Sequence, residues 1–279
     1  MPGPVMRGLI RAGKDPLDPP ELICMTFDMY LDESCDPKRE RLFAVGGLSA
    51  EEHVWTKFEL RWLSRTHELR KPFRSTECEC QQRQFATWKK SDCDQLMADL
   101  VGLILEYPIS GLGWIVPIPD YASITGNAGE YEGYFLGLKC VFITAAHLAE
   151  AFGSNIRFWV EENRATASRA AQIYHDIKGI KGWRPVRRMA GVSFLGKSIV
   201  GLQAADLVAR ESFKFIDNRG TSRGIRKPVW RMEPRITINA WTAPSLKSFW
   251  DKGGTDRVLI EYLAGHLFTP PIKLNKVNY

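Results

Sequence analysis

Between Leu22 and Leu31 the residues Ile23, Met25, Phe27, Met29 and Leu31 are all apolar, and Cys24, Thr26, Asp28 and Tyr30 alternate with them. A period of two belongs to a strand and not to a helix, so this segment must lay one face on a core. Ser34-Cys35-Asp36-Pro37 follows as turn chemistry, and Leu42 to Leu48 reads as a second strand returning beside the first. The pattern makes Asp32 the end of the first strand and turns Glu33 to the opposite face as a turn residue. Asp28 sits mid-strand, solvent-facing or paired. At about 3.3 Å per residue it lies roughly 13 Å from Asp32, too far to share an ion with it.

Helical spacing predicts helices at about 51–69 and 92–106, joined by the polar stretch Ser75-Thr76-Glu77-Cys78-Glu79, whose acids read as surface residues. Ile109 to Val116 is a third strand, ended by Pro117 and Pro119. Tyr131, Tyr134, Phe135, Leu138, Val141, Phe142, Ala145, Leu148, Ala149 and Phe152 then recur at three and four residue steps, a long amphipathic helix that Gly153 stops. His147 falls off its apolar stripe, as a surface or rim residue. A strand at Ile156 to Glu161, a helix near Ala165 to Lys178 capped by Asn163, a strand around Arg188 to Leu195 and a helix from about Val200 to Phe215 complete the series.

Without the two inserted helices the order is β-β-β-α-β-α-β-α. That is the order of a ribonuclease H-like domain. The expected fold is therefore α/β, a mixed sheet flanked by helices with a helical insertion before the third strand. Residues 1–20, with five prolines, read as a flexible lead-in, 21–217 as the domain, and 218–279 as a basic, aromatic extension.

With 44% apolar residues in 279, the chain can build a full core. Its longest apolar stretches, such as Val141 to Ala146, fall short of a membrane span, and no signal-peptide block opens it; a cytoplasmic protein without a membrane partner is expected. Six cysteines without paired C-x-x-C spacing read as reduced thiols. There is no G-x-S-x-G, H-E-x-x-H, G-x-x-x-x-G-K-[ST] or G-x-G-x-x-G, so serine-hydrolase, zincin, P-loop and dinucleotide readings lack support.

What remains is acid at element ends. Asp32 closes the first strand. Glu161 and Glu162 stand where the apolar run Ile156, Phe158, Val160 gives way to a helix start. Asp206 interrupts Gly201-Leu202-Gln203-Ala204-Ala205-Asp206-Leu207-Val208-Ala209, an otherwise small and apolar helix able to approach the sheet closely. Glu132 opens the long helix, where an acid also suits the helix dipole.

Tyr30-Leu31-Asp32-Glu33-Ser34 and Leu202-Gln203-Ala204-Ala205-Asp206-Leu207-Val208-Ala209 together resemble the bacterial domain-of-unknown-function family 3800 (DUF3800), over about 22–217. Its members start with a strand ending Asp-Glu-Ser-Gly-Asp and finish with a helix bearing Leu-Gln-x-Ala-Asp-Leu; here Cys35 stands where glycine is usual, which predicts a distorted turn. The resemblance implies an acidic two-metal site of ribonuclease H-like nucleases. By position it implies Asp32, Asp206 and Glu161 or Glu162 as ligands, with Glu132 matching only by its place in the fold.

The expected function is a Mg²⁺- or Mn²⁺-dependent nuclease, a hydrolase acting on DNA or RNA, with hard oxygen ligands suited to those ions. The rival is a ribonuclease H-like nucleic-acid-binding or assembly module whose acids serve structure. A net charge of +6 suits a polyanionic partner. Arg219, Arg223, Arg226, Lys227, Arg231 and Arg235, interleaved with Trp230 and followed by Trp241, read as phosphate and base contacts.

Overall fold

The computed structural model describes residues 25–127, 129–218 and 235–267. Strands β1 (Thr26–Cys35), β2 (Leu42–Glu51), β3 (Ser110–Pro117), β4 (Asn155–Glu161), β5 (Met189–Leu195) and β6 (Ile236–Ala240) form one sheet in the order β5-β4-β1-β2-β3-β6. β2 runs antiparallel to β1 and β3, whereas β4 lies parallel to β1 and β5 parallel to β4. The first five strands thus have the order and directions of a ribonuclease H-like sheet.

The helices are α1 (Glu52–Thr66), α2 (Ser75–Glu79), α3 (Lys90–Glu106), α4 (Ile118–Thr125), α5 (Glu132–Ala151), α6 (Ala167–Lys178), α7 (Val200–Asp217), α8 (Ala243–Asp251) and α9 (Asp256–Leu267). One face of the sheet, through Leu31, Val45, Trp114 and Phe158, packs on α5 and α6. Phe142 of α5 meets Phe158 at 4.7 Å and Tyr174 of α6 at 5.8 Å between ring centres. By length and composition α5 could cross a membrane, yet it is mostly buried as the central helix of this core. The other face receives α7 and, against it, the inserted α1 and α3.

Several expectations need correction. β1 continues through Asp32 and Glu33 to Cys35, and the turn falls at residues 36–41 instead. There the Asp36 carboxylate accepts the N–H groups of Glu40, Arg41 and Leu42, ordering the reversal from within. Those bonds hold Asp36 below the usual carboxylate range although burial pushes it up. Cys35 remains in the ladder opposite Phe43, so no distortion arises there. β3 ends at Pro117 as the prolines imply, and α4 takes Pro119 in its first turn, where a missing N–H costs nothing.

The described part of the C-terminal extension belongs to the same core. β6 pairs parallel with β3 at the sheet edge. Trp241, read from sequence as a base-stacking residue, is 2% exposed and stacks on Tyr262 at 4.7 Å. Arg235 donates from Nη1 to the carbonyls of Leu105 and Tyr107. Arg219, Arg223, Arg226, Lys227, Trp230 and Arg231 lie outside the described residues, as does the 1–20 lead-in.

Candidate metal centre

Glycines set the site by letting α7 lie directly on the sheet. A side-chain carbon on Gly46 would fall 2.4 Å from the Ala209 backbone nitrogen, and one on Gly113 would fall 2.5 Å from the Ser212 hydroxyl oxygen. Gly201 of α7 in turn rests on the Tyr30 ring, with only 2.4 Å available. Gly46 is the cross-strand neighbour of Asp32. The contact that admits α7 therefore lies beside the acid of β1.

Three acids converge there from three elements. β1 and β4 pair through Leu31 and Val160, so the next residues of the two strands are Asp32 and Glu161. Asp206 approaches from α7. Between them stands a residue the sequence reading missed, Lys197, in the turn from β5 to α7. Its Nζ donates to Asp32 Oδ2 and lies 3.2 Å from Glu161 Oε2 and 3.4 Å from Asp206 Oδ1. The Lys197 side chain is 6% exposed. Arg74, ahead of α2, meets Glu161 Oε1 at 3.2 Å, and the Ser75 backbone N–H donates to Asp206 Oδ2 at 2.5 Å.

Glu33 joins the group, contrary to its reading as a turn residue. One carboxylate oxygen each from Asp32, Glu33 and Glu161 lie within 4.8 Å of one another. Glu33 Oε1 accepts from Asn163 Nδ2 at 3.3 Å, while Oε2 is enclosed and has no hydrogen-bond partner among the described residues.

The electrostatics follow from crowding acids out of water. Burial pushes Asp32 well above its usual range, and Glu161 and Asp206 add to this against the pull of Lys197. Burial and Glu161 raise Glu33 as well. Glu161 goes the other way: burial opposes its charge, but Asp32, Lys197 and Arg74 outweigh burial and hold it low. Lys197 stays charged because Asp206, Asp32 and Glu161 overcome the desolvation of its ammonium. Asp32 and Glu161 are best described as competing for one proton, with Lys197 cationic throughout.

These residues fit a hard divalent cation. All the candidate donors are carboxylate oxygens, and one enclosed oxygen, Glu33 Oε2, has no hydrogen-bond partner among the described residues.

Other candidates fall elsewhere. Glu162 is exposed, and its backbone N–H donates to the Leu195 carbonyl. Glu132 pairs with Arg169 at 3.2 Å instead of joining the cluster, because the α5 N-terminus faces α6. Asp28 is the paired mid-strand acid, held by Arg157 at 2.6 and 2.9 Å and by Trp159 Nε1 at 2.8 Å. Glu79 is not a plain surface residue, since it meets Arg210 at 2.6 Å and ties α2 to α7.

No family model matches the sequence, and no curated protein matches it. Among solved structures, the chain is similar to Bst-RNase HIII in complex with Mn²⁺, at 14% identity and a TM-score of 0.39, covering 70% of this chain and 53% of that one. It is also similar to RNase HII of Archaeoglobus fulgidus in its complex with PCNA, at 10% identity and a TM-score of 0.33, covering 83% and 91%. The chain spans about half the length of the Bst-RNase HIII chains it matches.

Proposed function

We propose that this protein is a metal-dependent nuclease that hydrolyses phosphodiester bonds of DNA or RNA with Mg²⁺ or Mn²⁺, a DUF3800-type domain acting in the cytoplasm. The observation that carries the reading is the convergence of Asp32, Glu161 and Asp206, from β1, β4 and α7, around one enclosed point, where the Lys197 ammonium sits. Asp32, Glu33 and Glu161 would hold the cation, with Asp206 facing them across Lys197. When bound, the cation supplies an activated water and charge stabilisation for the leaving oxygen. Arg74, 46% exposed and paired with Glu161, would add positive charge for an anionic substrate at an otherwise acidic site. Asp206 is aimed by the Ser75 N–H, which leaves its second oxygen directed at the centre.

One observation favours the rival, a ribonuclease H-like nucleic-acid-binding module without catalysis: Lys197 already bridges the three acids. The two readings separate in one assay. Labelled single- and double-stranded DNA and RNA oligomers are incubated with Mg²⁺ or Mn²⁺, with and without EDTA, beside Asp32→Asn purified identically. The nuclease reading expects cleavage that EDTA abolishes and that the variant loses by more than about 100-fold, the upper cost of disturbing even a ligand's supporting partner. Binding without cleavage of any oligomer would install the rival.

A further inference from the structure

We infer that Lys197 is a permanent resident of one cation position in this centre, so that the chain binds a single divalent ion and not a pair. The inference rests on the metal-dependent reading above and narrows it.

The placement of Lys197 is fixed at both ends. Its backbone lies in a turn closed by the Ile199 N–H donating to the Gly196 carbonyl at 3.2 Å. Gln203 Nε2 donates to the Ser198 carbonyl at 3.3 Å, tying the same turn to α7. The stem is enclosed, and the ammonium sits among the three acids that come from three different elements. Withdrawing it would require the turn to open and would leave the buried Asp32 and the partly buried Glu161 and Asp206 facing one another.

Occupancy sets the number of ions. Lys197 already places a positive charge among Asp32, Glu161 and Asp206, and Arg74 places another beside Glu161. A second divalent ion would have to enter the space that the ammonium fills and meet its charge. The unpartnered Glu33 Oε2 marks the side still short of a cation, on the flank where Asp32, Glu33 and Glu161 approach within 4.8 Å. Asp206, with one oxygen committed to Ser75 and the other directed at Lys197, is the acid the lysine screens most from a second ion.

The test counts Mn²⁺ ions on the full chain, without nucleic acid, by the loss of the free-ion electron paramagnetic resonance signal during titration. One ion per chain is expected for the parent, with the spectrum of an isolated ion. Lys197→Met, which keeps the stem and removes the charge, is expected to take two, with the broadened signal of a coupled pair. Two coupled ions on the parent would overturn the inference while leaving the nuclease reading intact. A single ion on both proteins, bound more tightly by the variant, would also overturn it, because the lysine would then compete for the same position. No ion on either would overturn the metal reading itself. If the variant does not fold, the parent's count decides alone.

Discussion

Gln203 and Asp206 stand one turn apart on the same side of α7 and accept backbone N–H groups two residues apart in the insertion: Gln203 Oε1 takes Phe73 at 3.0 Å and Asp206 Oδ2 takes Ser75 at 2.5 Å. Gln203 Oε1 also accepts the Trp62 indole N–H at 3.1 Å. The Leu-Gln-x-Ala-Asp motif thus divides its work. Glutamine binds the inserted helices to α7, and aspartate does so with one oxygen while presenting the other to the centre.

Gln203→Leu strands two buried donors, the Trp62 indole and the Phe73 amide. Each unsatisfied group costs about 1–3 kcal/mol. Urea unfolding of the variant should show a loss of roughly that size per donor. Unchanged stability would mean that these bonds are not made in solution.

Gly46→Ala should cost about 1–3 kcal/mol, because its methyl group would meet the α7 backbone at Ala209 and not a flexible side chain. Gly46 is also the cross-strand neighbour of Asp32, so Mn²⁺ affinity should fall as well. Gly191→Ala is the control, since an added carbon there meets nothing within 4 Å. Equal melting temperatures for the two variants would refute the close approach of α7.

Much of this architecture is legible in the residues themselves. β1, α5 and α7 declare themselves because their apolar residues follow one period without interruption, and Asp206 stands out as a charge in a small, apolar helix. Lys197 does not, because a lysine after a strand is ordinary until the fold brings acids around it; the one signal is its position, directly between a strand end and that helix. Glu33 was missed for a different reason. Strict alternation sends it to the opposite face of β1, but at the end of the β4 pairing its carboxylate can still reach Glu161. Trp241 shows the converse error, since an aromatic among arginines reads as a nucleic-acid contact until β6 carries it into the core.

Trp241→Ala should therefore destabilise the protein by about 3–5 kcal/mol, the cost of emptying a large buried site. Nucleic-acid affinity of the folded variant should be unchanged. A stable variant with weakened binding would restore Trp241 as a base contact.

Glu150 holds Arg187 and Arg188 at 2.7 and 2.8 Å and Arg184 at 3.4 Å, and bonds from Arg187 and Arg188 pull its pKa down to about 2. A carboxylate lowered on folding stabilises the native state above its unfolded value of about 4.5. That contribution disappears as pH falls through about 2. Glu150→Gln should melt below the parent at pH 6, by a margin that shrinks with added salt and closes as pH approaches 2. A margin independent of pH would contradict the ionic account.

Anomalous diffraction from crystals of the full chain grown with Mn²⁺ locates the ion directly. A peak is expected in contact with the Asp32 and Glu161 carboxylates, absent from Asp32→Asn crystals treated identically. At saturating Mn²⁺, the absence of any peak there in the parent, with Lys197 still bridging Asp32, Glu161 and Asp206, would contradict the metal-dependent reading.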